Sequence, residues 1–292
     1  MGKEELPAEL PANVREGLRE TLRRIRLLGT KDFLAPKLSG PSTYLLASSG
    51  KLVRPALVLC SAHAIGKQAG KYVDLAISVE LMHTSSLIHD DIIDGDRIRR
   101  GRQTVGSKYG IESAILAGDA LIAKAVMLAS GYGGKVMSAI SSSAMEMCAG
   151  ESLDSYFQRE RKTPDIETYM KIARLKSASL ISASCSAPAI HSNDRRVKIM
   201  ADFGMDLGIA FQIRDDVMDF VRSDRRNGGG SERFRPNIVA TIRSSGSSTR
   251  EAIDEAIGIN NRYVIQARKR LGKGKLADIF DAYTDRIMLS PK

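Results

Sequence analysis

Residues 81–94 read LMHTSSLIHDDIID and residues 208–220 read GIAFQIRDDVMDF, and these two stretches decide the fold. Each is largely apolar and then closes on an Asp-Asp-x-x-Asp group: Asp90, Asp91 and Asp94 in the first, Asp215, Asp216 and Asp219 in the second. Helical residues four apart share a face, so Asp90 and Asp94 present their carboxylates side by side, and the second group repeats the arrangement. Carboxylates this crowded raise one another's pKa unless a cation neutralises them. Oxygen ligands on one face suit Mg²⁺, which keeps positions open for phosphate oxygens. A single such pattern is usually a solvated helix end. Two of them, preceded by Leu87 and Ile88 in one case and Phe211 and Ile213 in the other, point to a pair of metal sites flanking a pocket.

Outward from these stretches, apolar residues keep recurring at three- and four-residue spacing, and strict alternation over strand-length runs is hard to find. The spacing predicts helices over 12–28, 54–65, 72–94, 111–130, 135–158, 165–185, 194–221, 249–270 and 275–288. Breaks are expected at Pro36 to Pro41, Gly66 to Gly70, Gly95 to Gly110, Gly131 to Gly134 and Pro164. Residues 222–248, with Gly228, Gly229 and Gly230 in succession among Arg and Ser, read as a mobile loop. The expectation is an all-α chain folded as one large single-domain helical bundle over residues 1–292.

Composition narrows the function. With 43% hydrophobic and 27% charged residues the chain can bury a sizeable core. Aromatic residues make up 5% with no Trp, so the net charge of +10 lacks the stacking platforms of a single-strand nucleic-acid binder, and no nucleic acid is expected as partner. Small polyanions such as diphosphates would use part of the excess charge. No run of about 18 apolar residues is present, so no transmembrane segment is expected. The opening MGKEELPAELP has no signal-peptide core. Cys60, Cys148 and Cys185 lack metal-ligand spacing and favour a reduced, cytoplasmic setting.

Two basic groups complement the carboxylates. Residues 50–55, GKLVRP, place Lys51 and Arg54 three apart at a helix start marked by Pro55, where main-chain N–H groups add to an anion site. Arg99 and Arg100 follow the first Asp group. Beside two metal sites, these cations point to a pocket for two diphosphates, one held through Mg²⁺ and one by direct Lys and Arg contacts.

The ordered set GKLVRP (50–55), HDDIIDGDRIRRGRQT (89–104), AGDAL (117–121), LKSASL (175–180) and GIAFQIRDDVMD (208–219) resembles the trans-isoprenyl diphosphate synthase, or polyprenyl synthetase, family. The resemblance covers about residues 45–220 and implies the isoprenoid synthase type of helical bundle. It implies that Asp90, Asp94 and Asp215 hold Mg²⁺, three ions with substrate bound, against an allylic diphosphate, while Asp91, Asp216 and Asp219 support the cluster. It further implies that Lys51, Arg54, His83 and Arg100 bind isopentenyl diphosphate. Arg99, Lys176, Ser177 and Gln212 would contact the allylic partner, whether dimethylallyl, geranyl or farnesyl diphosphate, with Lys176 and Gln212 also serving catalysis. A homodimer is the assembly implied.

The chain also departs from the family. Ser177 stands where Thr is common, and Gln103 where Pro is common. The segment after Asp219, RSDRRNGGGSERFRPN, has no Lys where two glycine–lysine steps usually occur, so Arg225, Arg226, Arg233 or Arg235 must substitute there or closure is altered. A terpene cyclase would replace the second Asp group and need no second diphosphate pocket. A regulatory subunit of a heteromeric synthase would show eroded Asp groups, and both are intact. The reaction expected is head-to-tail condensation. On the face below Asp90 lie Ser86, Ser85, Met82 and Val79. In the family a bulky aromatic four or five positions before the first Asp stops growth early; the two serines form no such floor. Met82 is the next large side chain, so products of C20 or longer are expected, with a short-chain farnesyl diphosphate synthase as the alternative. The serines would otherwise only pack against a neighbouring helix, with Met127 or Leu128 closing the tunnel.

Overall fold

The computed structural model describes residues 10–48, 52–227, 235–274 and 277–281. These residues fall into two compact units, one within Met1–Ser141 and Ser186–Val197, the other within Ser142–Cys185 and Lys198–Lys292. The first holds α1 (Ala12–Arg26), α2 (Thr30–Phe33), α3 (Pro36–Tyr44), α4 (Val53–Ala64), α5 (Val73–Ile93), α6 (Val105–Tyr109) and α7 (Ile111–Ser130). Helix α8 (Gly134–Glu160) contributes residues to both. The second holds α9 (Ile166–Ala173), most of α11 (Val197–Asn227), α12 (Ile238–Arg243) and α13 (Thr249–Leu271), while α10 (Ser179–His191) is again shared along the chain.

In the first unit α5 is apolar nearly all round and therefore sits inside, packed along α7 and against α4 and α1. Leu57, Leu59, Leu75, Leu81, Ile88 and Leu121 are fully buried there. The amphipathic α1 lays Val14, Leu18 and Ile25 onto this core. In the second unit the core gathers Tyr169, Ile213, Val217, Ile238, Val239, Ile242 and Ile257 from α9, α11, α12 and α13. Helix α13 starts at a capping box in which Ser248 accepts from Glu251 N–H and Glu251 reaches back to Ser248 N–H.

The structure corrects several predicted boundaries. The expected break from Pro36 to Pro41 is helix α3: Pro36 occupies N1, where its missing N–H costs nothing, and Pro41 is carried inside. The single helix expected over 165–185 is α9, then a π-helical segment at Arg174–Ala178, then α10. Part of 222–248 is helical rather than loop, because α11 continues to Asn227 and α12 forms over six residues. Asn237 caps α12 by accepting from Ala240 N–H, and burial of Ile238, Val239 and Ile242 holds it, a segment too short for periodicity to reveal. Residues 228–234, including Arg233, and most of the helix expected at 275–288 lie outside the described residues. Among the described residues no helix is long and apolar enough to cross a membrane.

Candidate active site

Helix α5 delivers the first Asp group at its C-terminal end. Asp94 N–H donates to Asp90 O at 2.8 Å, so helical spacing persists through the group. Asp90 and Asp94 stay half-exposed, whereas Asp91 is turned inward, 3% exposed, and its Oδ1 accepts Arg99 Nε at 2.7 Å. Burial raises the Asp91 carboxyl although Arg99 pulls it down, and Asp91 Oδ2 is buried without a hydrogen-bond partner. Gly95, in the left-handed region at φ 61°, lets Asp96 N–H return to Asp91 O at 2.8 Å and closes the helix.

A short antiparallel hairpin follows, β1 (Ile98–Arg99) with β2 (Arg102–Gln103), pairing Ile98 with Gln103 and Arg99 with Arg102. Its turn places Arg100 at φ 52° and Gly101 at φ 75°. Two consecutive left-handed residues are what a two-residue hairpin turn needs, but only glycine adopts them freely, so Arg100 is held there at a cost of about 1 kcal/mol. Arg54 lies in the first turn of α4, just after Leu52, which is also left-handed at φ 46°. Lys51 lies outside the described residues.

His83 feels Arg54, Arg100 and Arg99, so those cations cluster around it. Burial and then their charges depress its pKa well below the ordinary value and keep the imidazole neutral at pH 7. One turn earlier, Glu80 is 5% exposed. Burial raises its carboxyl, and Arg54 and Arg100 oppose that rise. Glu80 was not singled out by sequence; its signal is an acidic residue three positions before His83 inside an apolar helix.

Below Asp90, Val79 and Met82 are buried. Ser85 is buried too, and its hydroxyl donates to Gly118 O on α7 at 2.9 Å, as Ser78 does to Ala125 O at 2.8 Å. At Gly118 a Cβ would fall 2.1 Å from His89 Nε2, so the α5–α7 seam is closed by small residues. Ser86 is half-buried and donates to His83 O on its own helix. Met127 is 67% exposed and Leu128 half-buried.

In the second unit a chain of hydrogen bonds runs through the second Asp group. Ser177 donates to Gln212 Oε1 in a short contact, and Gln212 Nε2 donates to Asp216 Oδ1 at 2.7 Å. Asp216 Oδ2 accepts Tyr169 OH at 2.8 Å and Ile238 N–H at 3.2 Å. Burial pushes the Asp216 carboxyl up to about 7, and these donors hold it from rising further. Asp215, 46% exposed beside Arg214, and Asp219, 77% exposed beside Arg222, remain at the surface. Lys176 Nζ pairs with Glu151 Oε2 at 2.6 Å and Asp154 Oδ2 at 2.5 Å. Asp154, Lys176, Gln212 and Asp216 share the lining of one small cavity.

Two glycines pack on the π-helical segment carrying Lys176 and Ser177, and a third on the first turn of α10. A Cβ at Gly150 would lie 2.4 Å from Lys176 N, at Gly208 2.5 Å from Ala178 Cα, and at Gly204 2.7 Å from Ser182 Cα. Only bare backbone lets α8 and α11 approach this closely. Ser179 N–H reaches back five residues to Arg174 O, and the Ser179 hydroxyl takes over Leu175 O at 2.7 Å. Such π segments tend to sit at functional sites. Glu151, Asp154 and Tyr169 escaped sequence reading; glycines inside helical patterns were the available signal.

The exposed carboxylates are a donor set that fits Mg²⁺. Among the described residues no three acidic, histidine or thiol groups converge into a ready-made cage.

Residues 35–256 match the polyprenyl synthetase family. The chain is 34% identical over 260 residues to a short chain isoprenyl diphosphate synthase of Methanothermobacter thermautotrophicus, covering 80% of this chain and 79% of that one. It is 37% identical over 203 residues to a geranylgeranyl diphosphate synthase of Sulfolobus acidocaldarius, covering 66% of this chain and 61% of the relative. Its fold is similar to the crystal structure of a geranylgeranyl pyrophosphate synthetase from Pyrococcus horikoshii, with a TM-score of 0.84, 27% identity and coverage of 96% and 98% of the two chains. With both Asp groups and the basic cluster carried on this helical framework, the chain belongs to the polyprenyl synthetase family of trans-prenyltransferases.

Proposed function

We propose that the chain is a Mg²⁺-dependent synthase that condenses isopentenyl diphosphate with an allylic diphosphate to give products of C20 or longer, geranylgeranyl diphosphate first among them. The observation that carries this reading is the division of labour within each Asp group. Asp91 and Asp216 are held inward by Arg99 and by Tyr169 and Gln212, while Asp90 and Asp94 are partly exposed and the Asp215 and Asp219 side chains are 46% and 77% exposed, where a cation can reach them. The curated relative from Sulfolobus acidocaldarius supports the product length.

On this reading Asp90 and Asp94, with Asp215 as a further ligand, hold Mg²⁺ ions, three with substrate bound. Mg²⁺ bound there neutralises the leaving diphosphate. Arg54 and Arg100 grip the isopentenyl diphosphate, and neutral His83 adds a hydrogen bond without adding charge. Lys176 exchanges its carboxylate partners for allylic diphosphate oxygen. Gln212, Ser177 and the carbonyls of the π segment face the developing allylic cation, whose charge their oxygens stabilise. Apolar helix faces exclude water that would quench it. The released diphosphate accepts the final proton.

The two units together act as one isoprenoid synthase domain, in the cytoplasm and as a homodimer. Ile111, Ile115, Leu116 and Met127, each 45–67% exposed along α7, support a self-association face. The test is the purified chain with Mg²⁺, labelled isopentenyl diphosphate and each starter from C5 to C20, with products resolved by length. Asp90→Ala and Asp215→Ala should each lower turnover on the order of a thousandfold with helical content unchanged. Wild-type turnover in both variants would refute the assignment.

A further inference from the structure

The hairpin that carries Arg100 is two residues deep on each side, and an isolated two-stranded ribbon is at best marginally stable in water. It also buries little: Ile98 is 60% exposed, and Arg100, Gly101, Arg102 and Gln103 are all exposed. Its turn residue Arg100 sits in a backbone conformation that its side chain disfavours. Something outside the hairpin must therefore hold it.

Three attachments do so. On the α5 side, Arg99 Nε donates to Asp91 Oδ1 at 2.7 Å. At the base, Thr104 N–H donates to Arg97 O at 3.0 Å and the Thr104 hydroxyl to Asp96 O at 2.9 Å. The third comes from α3: Tyr44 OH donates to Gln103 O at 3.1 Å, and the Arg102 guanidinium lies 4.7 Å from the centre of the Tyr44 ring. Lys108 Nζ is 4.1 Å from that ring, and Tyr109 meets it edge-on at 5.6 Å. Tyr44 thus grips β2 by its main chain at Gln103 and by its side chain at Arg102, the residues that follow the turn directly.

We infer that Tyr44 is a positioning residue for isopentenyl diphosphate, holding the 98–103 hairpin so that Arg100 meets the diphosphate. This rests on the proposed role of Arg100. The hairpin contributes almost nothing to the core, and Arg99 keeps its own anchor on Asp91 while Tyr44 grips β2, so loss of the Tyr44 contacts should leave the fold standing and be read chiefly in isopentenyl diphosphate.

The experiment measures steady-state kinetics against each substrate for Tyr44→Phe, Tyr44→Leu, Arg100→Ala and the Tyr44→Leu/Arg100→Ala double variant. Tyr44→Phe keeps the ring over Arg102 and loses the bond to Gln103; Tyr44→Leu loses both. The KM for isopentenyl diphosphate should rise about threefold in Tyr44→Phe and about tenfold in Tyr44→Leu, with kcat and the allylic KM within about twofold of wild type. In the double variant the two effects should fall short of multiplying, because Tyr44 acts through Arg100. An isopentenyl KM unmoved in Tyr44→Leu while Arg100→Ala raises it overturns the role of Tyr44 alone. A fall in kcat with both KM values raised alike and helical signal lost overturns it as a mere packing effect. An isopentenyl KM unmoved in Arg100→Ala overturns the Arg100 assignment and this inference with it.

Discussion

Replacing Gly150 by Ala should destabilise the protein and slow it, although glycine-to-alanine changes inside helices ordinarily do the reverse. A Cβ at Gly150 would sit 2.4 Å from Lys176 N, 2.8 Å from Lys176 Cα and 2.9 Å from Leu175 C. All three are main-chain atoms, so no rotamer change relieves them. Opening the shortest contact to about 3.4 Å moves the π segment by about 1 Å. Overpacking of this kind costs about 1–3 kcal/mol, against about 1 kcal/mol that alanine returns in helix propensity, leaving a net loss of up to about 2 kcal/mol. The displaced residues are Lys176 and its neighbour Ser177, and a 1 Å misplacement of reacting groups costs on the order of a hundredfold in rate. Gly258 in α13 is the internal control. There the nearest atom is Arg262 NH1 at 3.7 Å, so Gly258→Ala should stabilise by up to about 1 kcal/mol and leave turnover alone. Urea unfolding followed by circular dichroism, with turnover at saturating substrates, decides the matter. If Gly150→Ala proves as stable as Gly258→Ala and turns over within about threefold of wild type, the close approach does not set the site.

Other consequences can be checked alongside. The Asp216 carboxyl rises from 3.8 to about 7 on folding, so the folded state keeps a proton that the unfolded chain has lost between those values. Stability of the metal-free protein should therefore fall as pH climbs through that window, by no more than about 1.4 kcal/mol per pH unit. Asp216→Asn should flatten that slope, since a flip of the Gln212 amide keeps the hydrogen bonds; an unchanged slope would assign it to other groups. For product length, Met82→Ala should lengthen the main product and Ser86→Phe shorten it by at least one C5 unit, read by chromatography of dephosphorylated products. Ser85→Phe should also shorten it, but at a loss of stability, because Ser85 is wedged against Gly118; wild type stopping at C15 with Ser85→Phe unchanged would end this account of the tunnel. Light scattering should give twice the chain mass, and Ile115→Asp should reduce it to one chain; a single-chain mass for wild type at micromolar concentration refutes the dimer.

How much of the site was legible depended on sequence distance. Arg99 and Arg100 announce themselves because they follow the first Asp group directly, His83 only through the family resemblance, and the Asp groups because helical periodicity converts spacing into a shared face. Glu80 could have been noticed by the same rule. Lys176 could be placed near the chemistry only by resemblance, and its pairing with Glu151 and Asp154, more than twenty residues earlier on α8, has no local signature. Tyr44 is further removed, fifty-nine residues from its partner Gln103.

The sequence by itself determined the long helices, the two carboxylate groups they carry and the family resemblance, because apolar spacing and one-turn carboxylate pairs are properties of a single helix. Only the tertiary structure decided what each carboxylate does. Asp91 and Asp216 are indistinguishable in sequence from their neighbours, yet the first is buried against Arg99 and the second half-buried and bonded to Tyr169, Gln212 and Ile238. The π-helical segment is likewise accommodated by Gly150 and Gly208 on other helices, which admit its backbone where a side chain would not fit. The physical reason is the same in each case: burial and steric exclusion are set by residues distant in the chain, and no local pattern encodes which of them will arrive.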